Sequence, residues 1–133
     1  MALTPAQTAF IHDNPFVAVV TTLREDGSPH STVVWADADG EGVSFNTAYG
    51  LRKPRHIEHD PRVSVTVVDP ADPFRWVSVS GVARFTDEDA EEQIERLSLL
   101  YTGEDFSGWR VPGEQRVKVR VSAERVGGWG LDG

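Results

Sequence analysis

The chain contains no cysteine, which excludes disulfides, thiolate zinc sites, iron–sulfur ligation and thiol nucleophiles together. Its stability must come from packing. Positive charge is also scarce: 13 Lys and Arg stand against 21 Asp and Glu, a net charge of −8. That balance disfavours nucleic acid or an anionic membrane as the main partner. Lys53 and Lys118 are the only lysines, so any anion bound here must be met by a local basic cluster. No apolar run approaches a membrane span, and no basic stretch leads into an apolar one at the N-terminus; the expected location is cytoplasmic. Missing as well are a His-Glu-x-x-His metal pattern, a Gly-x-Ser-x-Gly elbow and a Walker loop, which leaves hydrolysis without visible machinery.

What is present reads as one folded domain over 1–133, with 39% apolar and 26% charged residues, near ordinary globular values. Thr4-Pro5-Ala6-Gln7 has the form of a capping box with proline at the first helical position, predicting a short helix to about Asp13. Phe16 to Leu23 is β-rich and apolar on both faces, as expected of a strand covered on two sides. Strands are predicted over Ser31 to Asp37, Gly42 to Thr47, Arg62 to Val68 and Trp76 to Phe85, with a loop over Asp69 to Phe74. Thr86 is placed to cap a helix over Asp87 to Tyr101, followed by a loop from Thr102 to Gly113. The last strand should turn Val117, Val119 and Val121 inward and Arg116, Lys118 and Arg120 outward. Six strands joined mainly by hairpins, with three helices, favour a mainly β (α+β) antiparallel barrel over a parallel Rossmann sheet.

The most informative stretch runs from Phe45 to His56. It sets the end of a strand against a predicted helix over Leu51 to Asp60. A helix N-terminus carries partial positive charge, so cations are normally disfavoured there. Here Arg52, Lys53 and Arg55 fall within four positions of that start. An anion held by these cations and by Thr47 would make the arrangement favourable; a solvated basic face paired with Glu58 and Asp60 is the alternative. Trp35, Trp76 and Trp129 can line a flat cofactor or serve as core and interface residues. His30, at a strand start, reads as structural. In hydride transfer the cofactor does the chemistry, so a lack of catalytic side chains is compatible with redox work.

The order and spacing of several pieces resemble the pyridoxamine-phosphate oxidase-like superfamily of FMN-binding split barrels, and within it the deazaflavin branch that uses coenzyme F-420. These pieces are Asn14-Pro15-Phe16-Val17-Ala18-Val19-Val20, Asp26-Gly27-Ser28-Pro29-His30, Val33-Val34-Trp35, Phe45-Asn46-Thr47 leading into Arg52-Lys53-Pro54-Arg55, Asp60 to Val67, and Arg75-Trp76-Val77. The resemblance implies a six-stranded antiparallel split β-barrel with short flanking helices. It implies a homodimer with the cofactor site between subunits, and F-420, or alternatively FMN, as cofactor. Arg52, Lys53, Arg55, Asn46 and Thr47 would hold the phosphate. The strand carrying Ser31, Val33 and Trp35 would lie against the ring system, with Arg75 and Trp76 coming from the partner. The chain ends soon after its last predicted strand, short of the C-terminal substrate segment of a pyridoxamine-phosphate oxidase, so vitamin B6 oxidation is not the expected reaction. The function implied is hydride transfer between deazaflavin and a small conjugated or electron-poor compound. A non-catalytic carrier of flavin, deazaflavin or haem is the reading from a different class.

Overall fold

A computed structural model describes residues 2–131. Seven strands and three α-helices are present: α1 (Pro5–His12), β1 (Val17–Leu23), β2 (Pro29–Asp39), β3 (Gly42–Ala48), α2 (Arg52–His59), β4 (Arg62–Asp69), β5 (Asp72–Thr86), α3 (Ala90–Thr102), β6 (Arg116–Ser122) and β7 (Arg125–Trp129). A single 3-10 turn, Phe106–Trp109, interrupts the loop after α3. The strand order β4-β1-β2-β3-β6-β5-β7, with β4 also paired to β5, closes six antiparallel strands into a barrel and leaves β7 as an addition. Closure removes the free edges that an open sheet would expose.

The interior follows from period-2 alternation. Val63, Val65 and Val67 on β4, Val77 and Val79 on β5, and Val119 and Val121 on β6 are buried around Phe45. Helix α1 adds Phe10 and Ile11 to this core, and α2 adds Ile57. The capping box of α1 is formed as expected: Gln7 N–H donates to Thr4 Oγ1, and Thr4 N–H donates to Gln7 Oε1. Two close approaches require glycine, since a Cβ at Gly42 would lie 2.1 Å from the Val121 carbonyl and one at Gly81 only 1.9 Å from that of Ser122.

Three expectations are corrected. The segment Asp69 to Phe74 is not an open loop, because Asp69 pairs with Asp72 across a tight hairpin and β5 starts there. Asp69 holds this corner, accepting from Ala71 N–H at 2.9 Å and from Arg75 Nη1 at 2.8 Å. Thr86 does not cap α3. Its Oγ1 accepts from Glu88 N–H, and the helix begins only after Asp89, whose φ of 60° breaks the chain direction. The third is β7, an additional strand beside Trp76 to Ser80 of β5.

Two strands change partners along their length: β5 passes from β4 to β6 at Val82/Ala83, and β2 makes the switch that matters for the site. β2 pairs with β1 from Pro29 to Trp35 and then with β3 from Ala36 to Asp39. β3, however, continues to Ala48 along β6. Beyond Phe45 its neighbour on the β2 side has turned away, and this divergence creates a cleft.

Candidate functional site

The cleft, of about 370 Å³, is walled by Val33, Val34 and Trp35 of β2, Asn46 and Thr47 of β3, Leu51 and Lys53 at the start of α2, Ile94 and Leu97 of α3, Phe106 and Trp109 of the 3-10 turn, and Arg116 of β6. Most of these side chains are apolar, and the polar ones are few and convergent, as in small-molecule sites. Five residues singled out from sequence therefore share one cavity: Val33, Trp35, Asn46, Thr47 and Lys53.

Lys53 is half-buried, and its Nζ donates to Thr32 Oγ1 at 3.1 Å. Among the described residues it has no carboxylate within ion-pair distance. Burial pushes its pKa below the ordinary lysine value, since desolvation disfavours the charged form. The alternative of a basic face neutralised by Asp60 does not apply to it: the Asp60 carboxylate is bound by Arg62, at 2.7 Å from Nη2, and that hydrogen bond holds its pKa down at about 2. Helix α2 has no side-chain cap, its N-cap position being Leu51. A half-buried cation and uncapped helix N–H groups thus meet on one wall of the cleft, a combination suited to an anionic oxygen.

The other predicted positions are distributed differently. Arg52 opens α2, but its side chain lies outside the described residues. Arg55 is exposed and borders a separate groove with Arg24, Glu25, Asp26 and His56. Ser31 lies on the outer surface, its Oγ 2.8 Å from Thr21 Oγ1. Arg75 is held by Asp69 and stands over the Phe10 ring at 5.3 Å, and Trp76 pairs with Trp129 across β7, so neither reaches the cleft of its own subunit. His30 lies edge-on to His56, with ring centroids 5.0 Å apart. Among the described residues no three His, Cys, Asp or Glu side chains are grouped to hold a metal.

Residues not singled out in the sequence, Gln93, Tyr101, Trp109 and Arg116, hold the predicted ones in place. Asn46 acts mainly as a tie: its Nδ2 donates to the Ala90 carbonyl at 2.7 Å and to Gln93 Oε1 at 3.2 Å, and its Oδ1 accepts from Arg116 Nε at 2.9 Å. Gln93 in turn donates to buried Ser44 at 2.8 Å, fixing α3 against β3. Trp35 stacks on Tyr101, with centroids 5.5 Å apart and planes at 18°, and meets Trp109 edge-on at 6.3 Å. The Tyr101 hydroxyl donates to the Phe16 carbonyl at 2.6 Å and accepts from Ala36 N–H at 3.1 Å, so the aromatic wall is locked to the strands. A planar ring beside Trp35 with its phosphate toward Lys53 and Thr47 fits this donor set.

The family described as Pyridoxamine 5'-phosphate oxidase matches residues 3–129. The pyridoxine/pyridoxamine 5'-phosphate oxidase of Rubrobacter xylanophilus is 31% identical over 118 residues, covering 84% of this chain and 50% of that protein. The chain thus spans about half the length of this curated relative. An F-420 reductase of known structure superposes with a TM-score of 0.77 at 24% identity, covering 93% of this chain and 98% of that one. HutZ, the haem storage protein of Vibrio cholerae, superposes at 0.68 with 19% identity over 98% and 97%. At those identities the two structures share the fold. With the barrel closed in the order that this fold requires and the family match running through nearly all of it, the chain belongs to the pyridoxamine 5'-phosphate oxidase family.

Proposed function

We propose that this protein is an oxidoreductase that binds coenzyme F-420 in the cleft and transfers a hydride between it and a small conjugated or electron-poor compound. The observation that carries this reading is Lys53, a half-buried cation with no carboxylate among the described residues in a chain of net charge −8. A cofactor phosphate supplies the missing charge. Thr47 adds a hydroxyl beside it, and Val33 and Trp35 offer an apolar wall for a planar ring system. Reduced deazaflavin, when bound, supplies the hydride; the residues of this chain bind, orient and shield it. The fold correspondence along 98% of an F-420 reductase favours F-420. The 31% identity to an oxidase keeps FMN as the alternative within the same site.

The site is proposed to be shared between two copies of the chain. Val17 opposes Trp35, and Val19 opposes Val33, yet Val17, Val19 and Val33 are all exposed. Such an apolar stripe is expected to be covered by a partner. Because Val33 also lines the cleft, a second copy docked there would close it.

Parallel titration with F-420, FMN and haem tests the reading. F-420 is expected to bind most tightly. Lys53→Met should weaken it about ten- to hundredfold, the value of one charge-assisted hydrogen bond of roughly 1.5–3 kcal/mol. Reduced F-420 screened against conjugated acceptors then reads turnover. Stoichiometric haem with neither flavin nor deazaflavin bound would overturn the redox reading in favour of a carrier.

A further inference from the structure

Besides Lys53 the cleft wall contains a second cation, and its surroundings are of another kind. The Arg116 side chain is only 10% exposed. Its Nε donates to Asn46 Oδ1, its Nη1 donates to Glu114 Oε1 at 2.7 Å, and its guanidinium carbon lies 5.0 Å from the centroid of the Phe106 ring. A guanidinium has five N–H donors, and these two bonds leave Nη2 without an acceptor among the described residues, on a side chain that borders the cavity. Nη2 is therefore open to the cavity on an otherwise buried side chain, where a ligand oxygen can accept from it. The charge on Arg116 is already balanced by Glu114, whereas Lys53 has no such partner among the described residues. A second carboxylate or a phosphate would have to compete with Glu114 for the same guanidinium, whereas a carbonyl or nitro oxygen needs only the free donor.

Beside Arg116 lies Trp109, an indole that is 57% exposed yet lines the cleft. The turn that carries it is fastened to α3. Arg110 bridges Glu91 and Glu95 at 2.7 and 2.9 Å, Glu95 accepts from Phe106 N–H at 3.2 Å, and Ser98 donates to the Glu104 carbonyl at 2.8 Å. A large aromatic surface is thereby held out beside a rigid hydrogen-bond donor.

We propose that Trp109 and Arg116 form the acceptor subsite. It takes an uncharged planar aromatic or conjugated compound, its ring against the Trp109 indole and its carbonyl or nitro oxygen on the Arg116 guanidinium. Glu114 is the residue that turns anionic analogues away. This assigns the substrate class of the same cleft and rests on the reading that Lys53 holds the cofactor phosphate.

The test uses three probes of one shape: 2-acetylnaphthalene, 2-naphthoate and 2-ethylnaphthalene. Their binding is measured calorimetrically to the whole protein, with and without F-420. The ketone should bind about tenfold more tightly than the hydrocarbon, and more tightly than the carboxylate. Trp109→Leu, assayed without F-420, should weaken the ketone by about tenfold. Glu114→Gln should narrow or reverse the preference for ketone over carboxylate, a change of selectivity that a merely structural role would not produce. Equal binding of all three probes, or a preference untouched by Glu114→Gln and Trp109→Leu, overturns the subsite. Ketone selectivity that depends on Trp109 and Glu114, in a protein that binds neither F-420 nor FMN, supports the subsite and instead overturns the cofactor reading.

Discussion

Across β4 and β5 the valines at 63, 65, 67, 77 and 79 are buried, whereas across β1 and β2 the valines at 17, 19 and 33 stand exposed, although both pairs of strands are in register at these positions. The same contrast holds for polar groups. Away from the cleft, buried Asp69 and half-buried Asp37 are met by arginines, Arg75 and Arg96; at the cleft Lys53 has no counter-charge among the described residues. The closed wall is satisfied internally, and the region around the split retains exposed apolar surface and a cation without a counter-charge among the described residues. The proposed site lies where β2 and β3 stop pairing.

The largest expected effect is on the closed wall. Phe45 is fully buried, and it is the last β3 residue paired with β2. Phe45→Ala should cost about 3–5 kcal/mol, read as a fall in denaturation midpoint. A cost below about 1 kcal/mol would mean that the core at the split is loosely packed, and the contrast drawn above would fail.

Neighbouring positions on β1 offer an intermediate comparison. Val20 is inside and Val19 is 44% exposed. Val20→Ala should destabilise the subunit by about 1.5–3 kcal/mol. Val19→Lys should leave the subunit folded but shift the protein from dimer to monomer in sedimentation, because it sets a charge in the proposed interface. If Val19→Lys stays dimeric, the partner covers another face.

The closed wall was also the more legible part of the sequence. Alternation located β4 and β6, each with one face buried; β-rich composition located β1 and the turn signals around Asp26-Gly27 and Asp39-Gly40 separated β1, β2 and β3, while Thr4-Pro5 located α1. β7 was missed because Arg125-Val126-Gly127-Gly128-Trp129 has neither alternation nor β-branched density; its Gly128 is set by close approach, a Cβ there lying 2.7 Å from the Trp76 carbonyl. The start of β5 was hidden by two prolines and two aspartates that read as a loop but build a tight corner. At the cleft, Lys53 was legible because a cation at a helix start contradicts the macrodipole. Arg116 was not, since an alternating Arg-Val-Lys-Val-Arg pattern assigns it to solvent, and only α3 and the 3-10 turn, brought over from a distant part of the chain, cover it. Trp109 likewise looked like an ordinary loop residue. Local chemistry showed where charge is misplaced, while the walls around it depend on long-range packing.

The smallest effect, and the one most specific to the split, concerns the stability and pH response of the apo protein at Lys53. Burial lowers the pKa of Lys53 below its unfolded value of 10.5, so between the folded and unfolded values the unfolded chain binds more protons. Stability should then rise with pH across that window, as the burial penalty present at neutral pH is relieved. Lys53→Met removes the penalty outright. The apo variant should melt at the same temperature as the wild type or up to about 2–4 °C higher near neutral pH, with the difference shrinking as pH approaches 10.5. Cofactor affinity should respond in the opposite sense, because a phosphate needs the protonated amine: binding should weaken in alkaline solution as Lys53 loses its proton. Lys53→Arg separates the two effects, since a guanidinium stays protonated throughout this range and should flatten the alkaline loss. Apo melting curves and F-420 dissociation constants measured across the alkaline range for the three proteins decide the matter. An alkaline loss of affinity that persists unchanged in Lys53→Arg would assign the titrating group elsewhere and remove Lys53 from the phosphate site.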